Sequence, residues 1–181
     1  MLSLWNDYTE RNDPDPADLR PELERMLAKA PILDSVLEVG CSRGANLKVL
    51  ARPGRLCLGI EPNAKARELA HGLRVLDGDV RDLYMLSRAS FDLVLCAGLL
   101  CHLGNADLRL AMEELWRVTR RYLLLVEYEA EKQMKIAWRG TFLWERPYGR
   151  LALDWLRGAK LLDGGEAGPL YDGARFWLLG K

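Results

Sequence analysis

The sequence predicts an α/β fold: a mostly parallel seven-stranded sheet with helices on both faces and a C-terminal antiparallel hairpin. Three observations predict it. Short apolar runs recur at Ser35–Val39, Arg55–Ile60, Leu73–Leu76, Phe91–Ala97 and Tyr122–Val126. Stretches of helical periodicity separate them, which is the signature of parallel strands joined by crossover helices. Most of these runs stop at a glycine or an acidic turn, namely Gly40, Glu61-Pro62, Asp77-Gly78-Asp79 and Gly98.

Each element has a local cause. Asn12 to Pro21 is rich in Asp and Pro and reads as a loop feeding a helix. Leu19, Leu23, Met26, Leu27 and Ala30 then recur at helical spacing, with Pro21 expected in the first turn, where its missing N–H does no harm. Helices are expected at Ala45–Ala51 and Ala64–Ala70. A longer one follows Asn105 as cap, with Leu108, Ala111, Met112, Leu115 and Thr119 on one face. Arg117, Arg120 and Arg121 crowd its end, where the helix dipole favours cations. A helix near Leu151–Leu156 precedes two strands, Lys160–Leu162 and Arg175–Leu179, around a glycine-rich loop. The whole chain, 1–181, reads as one domain.

The 181 residues carry 26 basic and 26 acidic side chains, a net charge of zero. Nucleic-acid binding by bulk positive field is therefore disfavoured, since that grip comes from Lys and Arg neutralising phosphates. Cysteines 41, 57, 96 and 101 sit in apolar runs with no CxxC pair, as reduced cytosolic thiols do. That spacing also speaks against a zinc site at Cys96, Cys101 and His102, and no metal is expected. The N-terminus lacks a basic region, and the stretch Phe91 to Leu103 is broken by Asp92 and His102. The expectation is a cytoplasmic protein without a membrane segment.

Ligands of an open α/β sheet bind beyond the carboxyl ends of its strands. Gly40-Cys41-Ser42-Arg43-Gly44 there is literally G-x-S-x-G, but a hydrolase elbow at the first strand, with only His71 or His102 to serve it, fits poorly. A dinucleotide dehydrogenase would use Glu61 on a ribose, yet Ser42 and Ala45 break its glycine fingerprint. The third reading rests on a resemblance. Glu38-Val39-Gly40-Cys41-Ser42-Arg43-Gly44 resembles the E/D-x-G-x-G-x-G motif of class I methyltransferases that use S-adenosyl-L-methionine (SAM), with Ser42 in the middle glycine's place. Gly59-Ile60-Glu61-Pro62, Gly78-Asp79-Val80, Phe91-Asp92-Leu93-Val94 and Gly98-Leu99-Leu100-Cys101-His102-Leu103 resemble the later motifs in order.

A closer likeness is carried by Tyr8-Thr9-Glu10-Arg11-Asn12, Gly44-Ala45-Asn46-Leu47, Glu127-Tyr128 and Arg139-Gly140. These resemble methyltransferases associated with pseudaminic acid biosynthesis, except that Ala130-Glu131-Lys132-Gln133 stands where that family carries Asn-Pro-Thr-Pro. The resemblance implies a Rossmann-like fold, SAM as cofactor and S-adenosyl-L-homocysteine (SAH) as product. It also implies methylation of an oxygen or nitrogen on a small molecule, a sugar or secondary metabolite. A non-catalytic SAM-binding or protein-interaction domain is the alternative, and the chain is expected as a monomer or homodimer.

The implied roles have physical reasons. Gly40 and Gly44 allow close backbone approach, or simply a tight turn. Glu38 in an apolar strand needs a cationic or donating partner, which the SAM ammonium or Arg11 could be. Glu61 would accept ribose hydroxyls with Pro62 beside it, or else brace the helix start at Asn63. Asp79 and Val80 would meet adenine, and Ser42 and Asn46 the cofactor carboxylate or the helix end. Gly98 belongs to the same cofactor set, and Trp5, Tyr8 and Arg11 form a lid within segment 1–31. His102 is the candidate base, or a loop-bonded histidine. Glu127 and Tyr128 would lie beside the acceptor as catalytic groups. Residues 128–150 would set acceptor specificity through His102, Tyr128, Trp138 and Arg139, with Trp144 and Tyr148 as pocket wall or core.

Overall fold

The computed structural model describes residues 14–138 and 141–181. Five apolar runs become parallel strands: β1 (Ser35–Val39), β2 (Leu56–Ile60), β3 (Val75–Leu76), β4 (Phe91–Ala97) and β5 (Thr119–Glu127). With β8 (Lys160–Glu166) and β9 (Arg175–Gly180) they build one sheet in the order β3-β2-β1-β4-β5-β9-β8. Only β9 runs antiparallel to its neighbours. The expected mostly parallel seven-stranded sheet, ending in a C-terminal antiparallel hairpin, is the one observed.

Successive side chains point to opposite faces of a strand, so a fully apolar strand must be covered twice. Along β5, Leu123 and Leu125 enter one core, whereas Leu124 and Val126 enter the other. Helices α4 (Asn105–Val118) and α5 (Tyr148–Trp155) cover the first face through Met112, Leu115 and Tyr148. Helices α1 (Pro16–Met26) and α2 (Ala45–Leu50) cover the second through Leu23, Met26 and Leu47. A short α3 (Ala64–Leu69) follows β2.

The structure corrects several expectations. Helix α1 starts at Pro16 under an Asp15 cap, so Pro21 lies inside the helix rather than in its first turn. It is tolerated because Ala17, whose carbonyl loses its donor, is exposed to solvent. Gly104, not Asn105, caps α4, and the Asn105 side chain instead accepts from Arg146. Thr119 opens β5 and returns its hydroxyl to the Leu115 carbonyl. Helix α5 begins at Tyr148, earlier than expected. The glycines of β8 are strand, not loop: a Cβ at Gly164 would stand 3.2 Å from the Phe176 carbonyl. An unforeseen hairpin, β6 (Met134–Trp138) and β7 (Thr141–Glu145), forms a second sheet against the 3-10 turn Leu100–His102. Among the described residues no helix is long and apolar enough to cross a membrane.

Candidate active site

The carboxyl ends of β1, β2, β4 and β5 open into one cavity of about 1000 Å³. Its floor begins with the turn after β1. Gly40 and Gly44 hold φ of +74° and +76°, a left-handed backbone that side chains resist. A Cβ at Gly44 would fall 2.2 Å from Leu73 Cδ1, so the turn also needs the missing atom. Ser42 between them keeps φ at +48° despite its side chain, at a cost of roughly 1–2 kcal/mol. Ser42 lines the cavity, and among the described residues its buried hydroxyl oxygen has no hydrogen-bond partner.

Glu38, the penultimate residue of β1, is 2% exposed at the cavity wall. Asn46, at the start of α2, donates its amide to Glu38 Oε1 at 2.7 Å. The Asn46 oxygen in turn accepts from the Tyr171 hydroxyl at 2.7 Å. Asn46 is thus a bridge between two side chains, and its amide is directed at Glu38.

Glu61 follows the last residue of β2 and is 7% exposed. Ser42 N–H and Asn63 N–H each donate to one of its oxygens at 2.9 Å. Burial raises its pKa, and those two backbone donors pull it back. An ionised carboxylate offers about four acceptor sites, so half its capacity remains for hydroxyl donors. Both readings of Glu61 are thereby accommodated, because it braces Asn63, the α3 cap, while facing the cavity beside Pro62.

Asp79 and Val80 lie on the same wall. Asp79 is held by Arg81, whose guanidinium grips both carboxylate oxygens, and the Arg81 N–H donates to it at 2.8 Å. The Asp82 side chain closes a capping box on the Asp79 N–H. This grip lowers the Asp79 pKa and keeps it charged. Val80 is buried beside it.

Gly98, His102 and Tyr128 line the cavity too. Burial lowers the His102 pKa, leaving a neutral imidazole at pH 7. Glu127 is different. It is fully buried behind the wall and accepts N–H groups of Leu99, Leu100 and Cys101 at 2.9, 2.7 and 3.2 Å. Desolvation raises its pKa to about 7 against those donors. The expectation of Glu127 beside an acceptor is corrected: its oxygens are consumed in shaping the loop that carries His102.

Arg146, with no signal in the sequence, is fully buried and grasps that loop through its carbonyls. It donates to the carbonyls of Leu100 and Leu103 at 3.3 and 2.8 Å and to Asn105 Oδ1 at 3.0 Å. Tyr148 lies in the core with its hydroxyl donating to the Trp144 carbonyl, so it is no pocket wall. Trp144 stacks beneath the Arg146 guanidinium, 4.6 Å from its ring centre. Trp138 closes β6. Trp5, Tyr8, Arg11 and Arg139 lie outside the described residues. Tyr171 was also missed, although Gly168-Pro169 and Asp172-Gly173 mark a turn at a strand's carboxyl end. Among the described residues no group of three His, Cys, Asp or Glu could hold a metal ion.

SAM offers hydroxyl and ammonium donors and a carboxylate. The carboxylates of Glu38 and Glu61, the unpartnered Ser42 hydroxyl and the open glycine turn suit that inventory. Residues 37–124 match the family described as a methyltransferase domain. No curated protein matches the sequence. Among solved structures, the chain is similar to a SAM-dependent methyltransferase from Archaeoglobus fulgidus, at 14% identity over 98% of this chain and 99% of that one, TM-score 0.70. Burkholderia thailandensis 1,6-didemethyltoxoflavin-N1-methyltransferase, with SAH bound, matches at 19% identity over 92% and 78%, TM-score 0.66. Magnesium protoporphyrin IX methyltransferase from Synechocystis matches at 15% over 92% and 79%, TM-score 0.64. These distant likenesses establish the fold. On that fold, the methyltransferase-domain match over residues 37–124 and the cavity's donor and acceptor set support an S-adenosyl-L-methionine-dependent methyltransferase.

Proposed function

We propose that the acceptor is an oxygen or nitrogen of a small molecule, a sugar or a secondary metabolite. The observation that carries this reading is that His102 and Tyr128 share one cavity with Glu38 and Glu61. Its volume of about 1000 Å³ lies at the top of the range for small-molecule sites, room for a cofactor and a small acceptor. Two similar enzymes are named for small acceptors, 1,6-didemethyltoxoflavin and magnesium protoporphyrin IX, which supports the same class here. The likeness to pseudaminic acid-associated methylases favours a sugar within that class.

The chain's own residues divide the work. Glu38 receives the cofactor ammonium, Glu61 the ribose hydroxyls, and Ser42 the cofactor carboxylate. Asp79 and Val80 form the adenine wall. When bound, SAM supplies a methyl group on an activated sulfonium, so the protein contributes mainly orientation and exclusion of water. Neutral His102 takes a proton from an acceptor that must lose one. Glu127 and Arg146 hold the His102 loop in place. Residues 128–150 and the N-terminal segment shape acceptor choice within a single domain. Zero net charge makes a nucleic-acid substrate the weaker choice. A cytoplasmic monomer or homodimer completes the reading.

The test is methyl labelling. Incubation with SAM labelled in its methyl group and the separated fractions of a cell extract should put label into the small-molecule fraction. Label confined to RNA or protein would overturn the acceptor class. SAM binding with no label anywhere would leave a non-catalytic binding domain.

A further inference from the structure

We propose that Tyr171 is a positioning residue of the cofactor site, orienting Glu38 through Asn46 across 125 residues of sequence. Tyr171 ends the 3-10 turn Pro169–Tyr171 that joins β8 to β9, and it lines the cavity itself. Because β8 runs parallel to β5, this turn arrives at the same sheet end as Glu38.

The direction of the hydrogen bonds carries the inference. The Tyr171 hydroxyl donates to Asn46 Oδ1, which leaves Asn46 Nδ2 to donate to Glu38 Oε1. Were the amide reversed, its oxygen would face a carboxylate oxygen and two acceptors would meet. The carboxylate therefore fixes the amide orientation, and the phenol secures it by donating to the amide oxygen. A phenylalanine there would keep the ring and lose that bond.

The turn is built to deliver the hydroxyl. Gly168 holds φ of +120°, and a Cβ there would sit 2.5 Å from Glu22 Oε1, so the turn presses directly onto α1. Asp172 and Gly173 follow with φ of 52° and 77°, reversing the chain into β9. Burial and the nearby carboxylates of Glu38 and Glu22 raise the Tyr171 pKa, keeping the phenol protonated and a donor.

This inference rests on the reading that Glu38 receives the cofactor ammonium. Titration calorimetry of the wild type, Tyr171→Phe and Asn46→Leu with SAH, and with the SAH analogue lacking the α-amino group, tests it. The wild type should prefer SAH. Both variants should bind SAH about five- to tenfold more weakly, the effect of one charge-assisted hydrogen bond, and bind the analogue within about twofold of wild type. Equal losses on both ligands would mean a merely structural role, and an unchanged SAH affinity would remove any role. A wild type that binds SAH and the analogue equally would remove the ammonium contact. A wild type that binds neither would overturn the cofactor reading itself.

Discussion

Glu127 and Arg146, both fully buried, hold the segment 99–105 together, one through its amides and the other through its carbonyls and the Asn105 side chain. Glu127 takes the N–H groups of Leu99, Leu100 and Cys101, and Arg146 gives to the carbonyls of Leu100 and Leu103. One side chain that accepts and one that donates thus act on one loop through its peptide groups. Their shared product is the placement of His102 at the cavity wall. Removing the guanidinium should leave the Leu100 and Leu103 carbonyls and the Asn105 amide oxygen without their donor. Arg146→Met should cost about 3–5 kcal/mol in chemical denaturation, several unmade buried hydrogen bonds together. A loss below about 1 kcal/mol would show that the loop holds without it.

Glu127 also sets a pH dependence. Its pKa rises from 4.5 to about 7 on folding, because burial disfavours the charge. The folded state therefore binds a proton that the unfolded chain has released between those values. The stabilising contribution is full below about pH 4.5 and is lost as pH rises through about 7. Wild type should lose stability relative to Glu127→Gln as pH rises across that window. Denaturation series at several pH values check this, and a parallel pair of curves would contradict it.

His102 is neutral at pH 7 because burial lowers its pKa below 6.5. If it takes the acceptor's proton, kcat should fall only below that value, with a single acid limb. His102→Gln should lower kcat by about 10²–10⁴ and leave SAH affinity unchanged. A kcat within threefold of wild type, roughly, would reduce His102 to a wall residue.

Glu61→Ala should weaken SAH binding at least about tenfold, because charged acceptors make the stronger hydrogen bonds. The same change strips partners from the Ser42 and Asn63 N–H groups, so a modest fall in melting temperature should accompany it. Calorimetry on the folded variant separates the two effects.

Gly44→Ala should destabilise the glycine turn by about 1–3 kcal/mol, since φ is +76° and Leu73 occupies the space of a Cβ. Ser42→Gly, by contrast, should relieve backbone strain and remove the cavity hydroxyl together. Stability should rise slightly while SAH affinity falls.

Much of this molecule could be read from its sequence, for local reasons. The runs Ser35–Val39 and Phe91–Ala97 are apolar throughout and punctuated by glycine, and both strands formed with those bounds. Glu38, Gly40, Ser42 and Glu61 fell together in the cavity because each lies at or just beyond the carboxyl end of β1 or β2, where the fold class places ligands. The hairpin β6–β7 was not legible, since Lys132 to Lys135 mixes charge into its start and its packing partner is the distant Leu100–His102 turn. Arg146 and Tyr171 were missed for one cause: their roles are hydrogen bonds to residues 41 to 125 positions away, which no periodicity encodes. Glu127 was placed in the right region but on the wrong side of its loop, where burial and three amides claim it.

The central claim is a SAM site built on Glu38, Ser42 and Glu61. Titration calorimetry of the folded wild type with SAH tests it most directly, alongside Glu61→Ala. One site per chain, weakened at least about tenfold in the variant, is the expected result. No heat from SAH or SAM with a protein shown to be folded would contradict it.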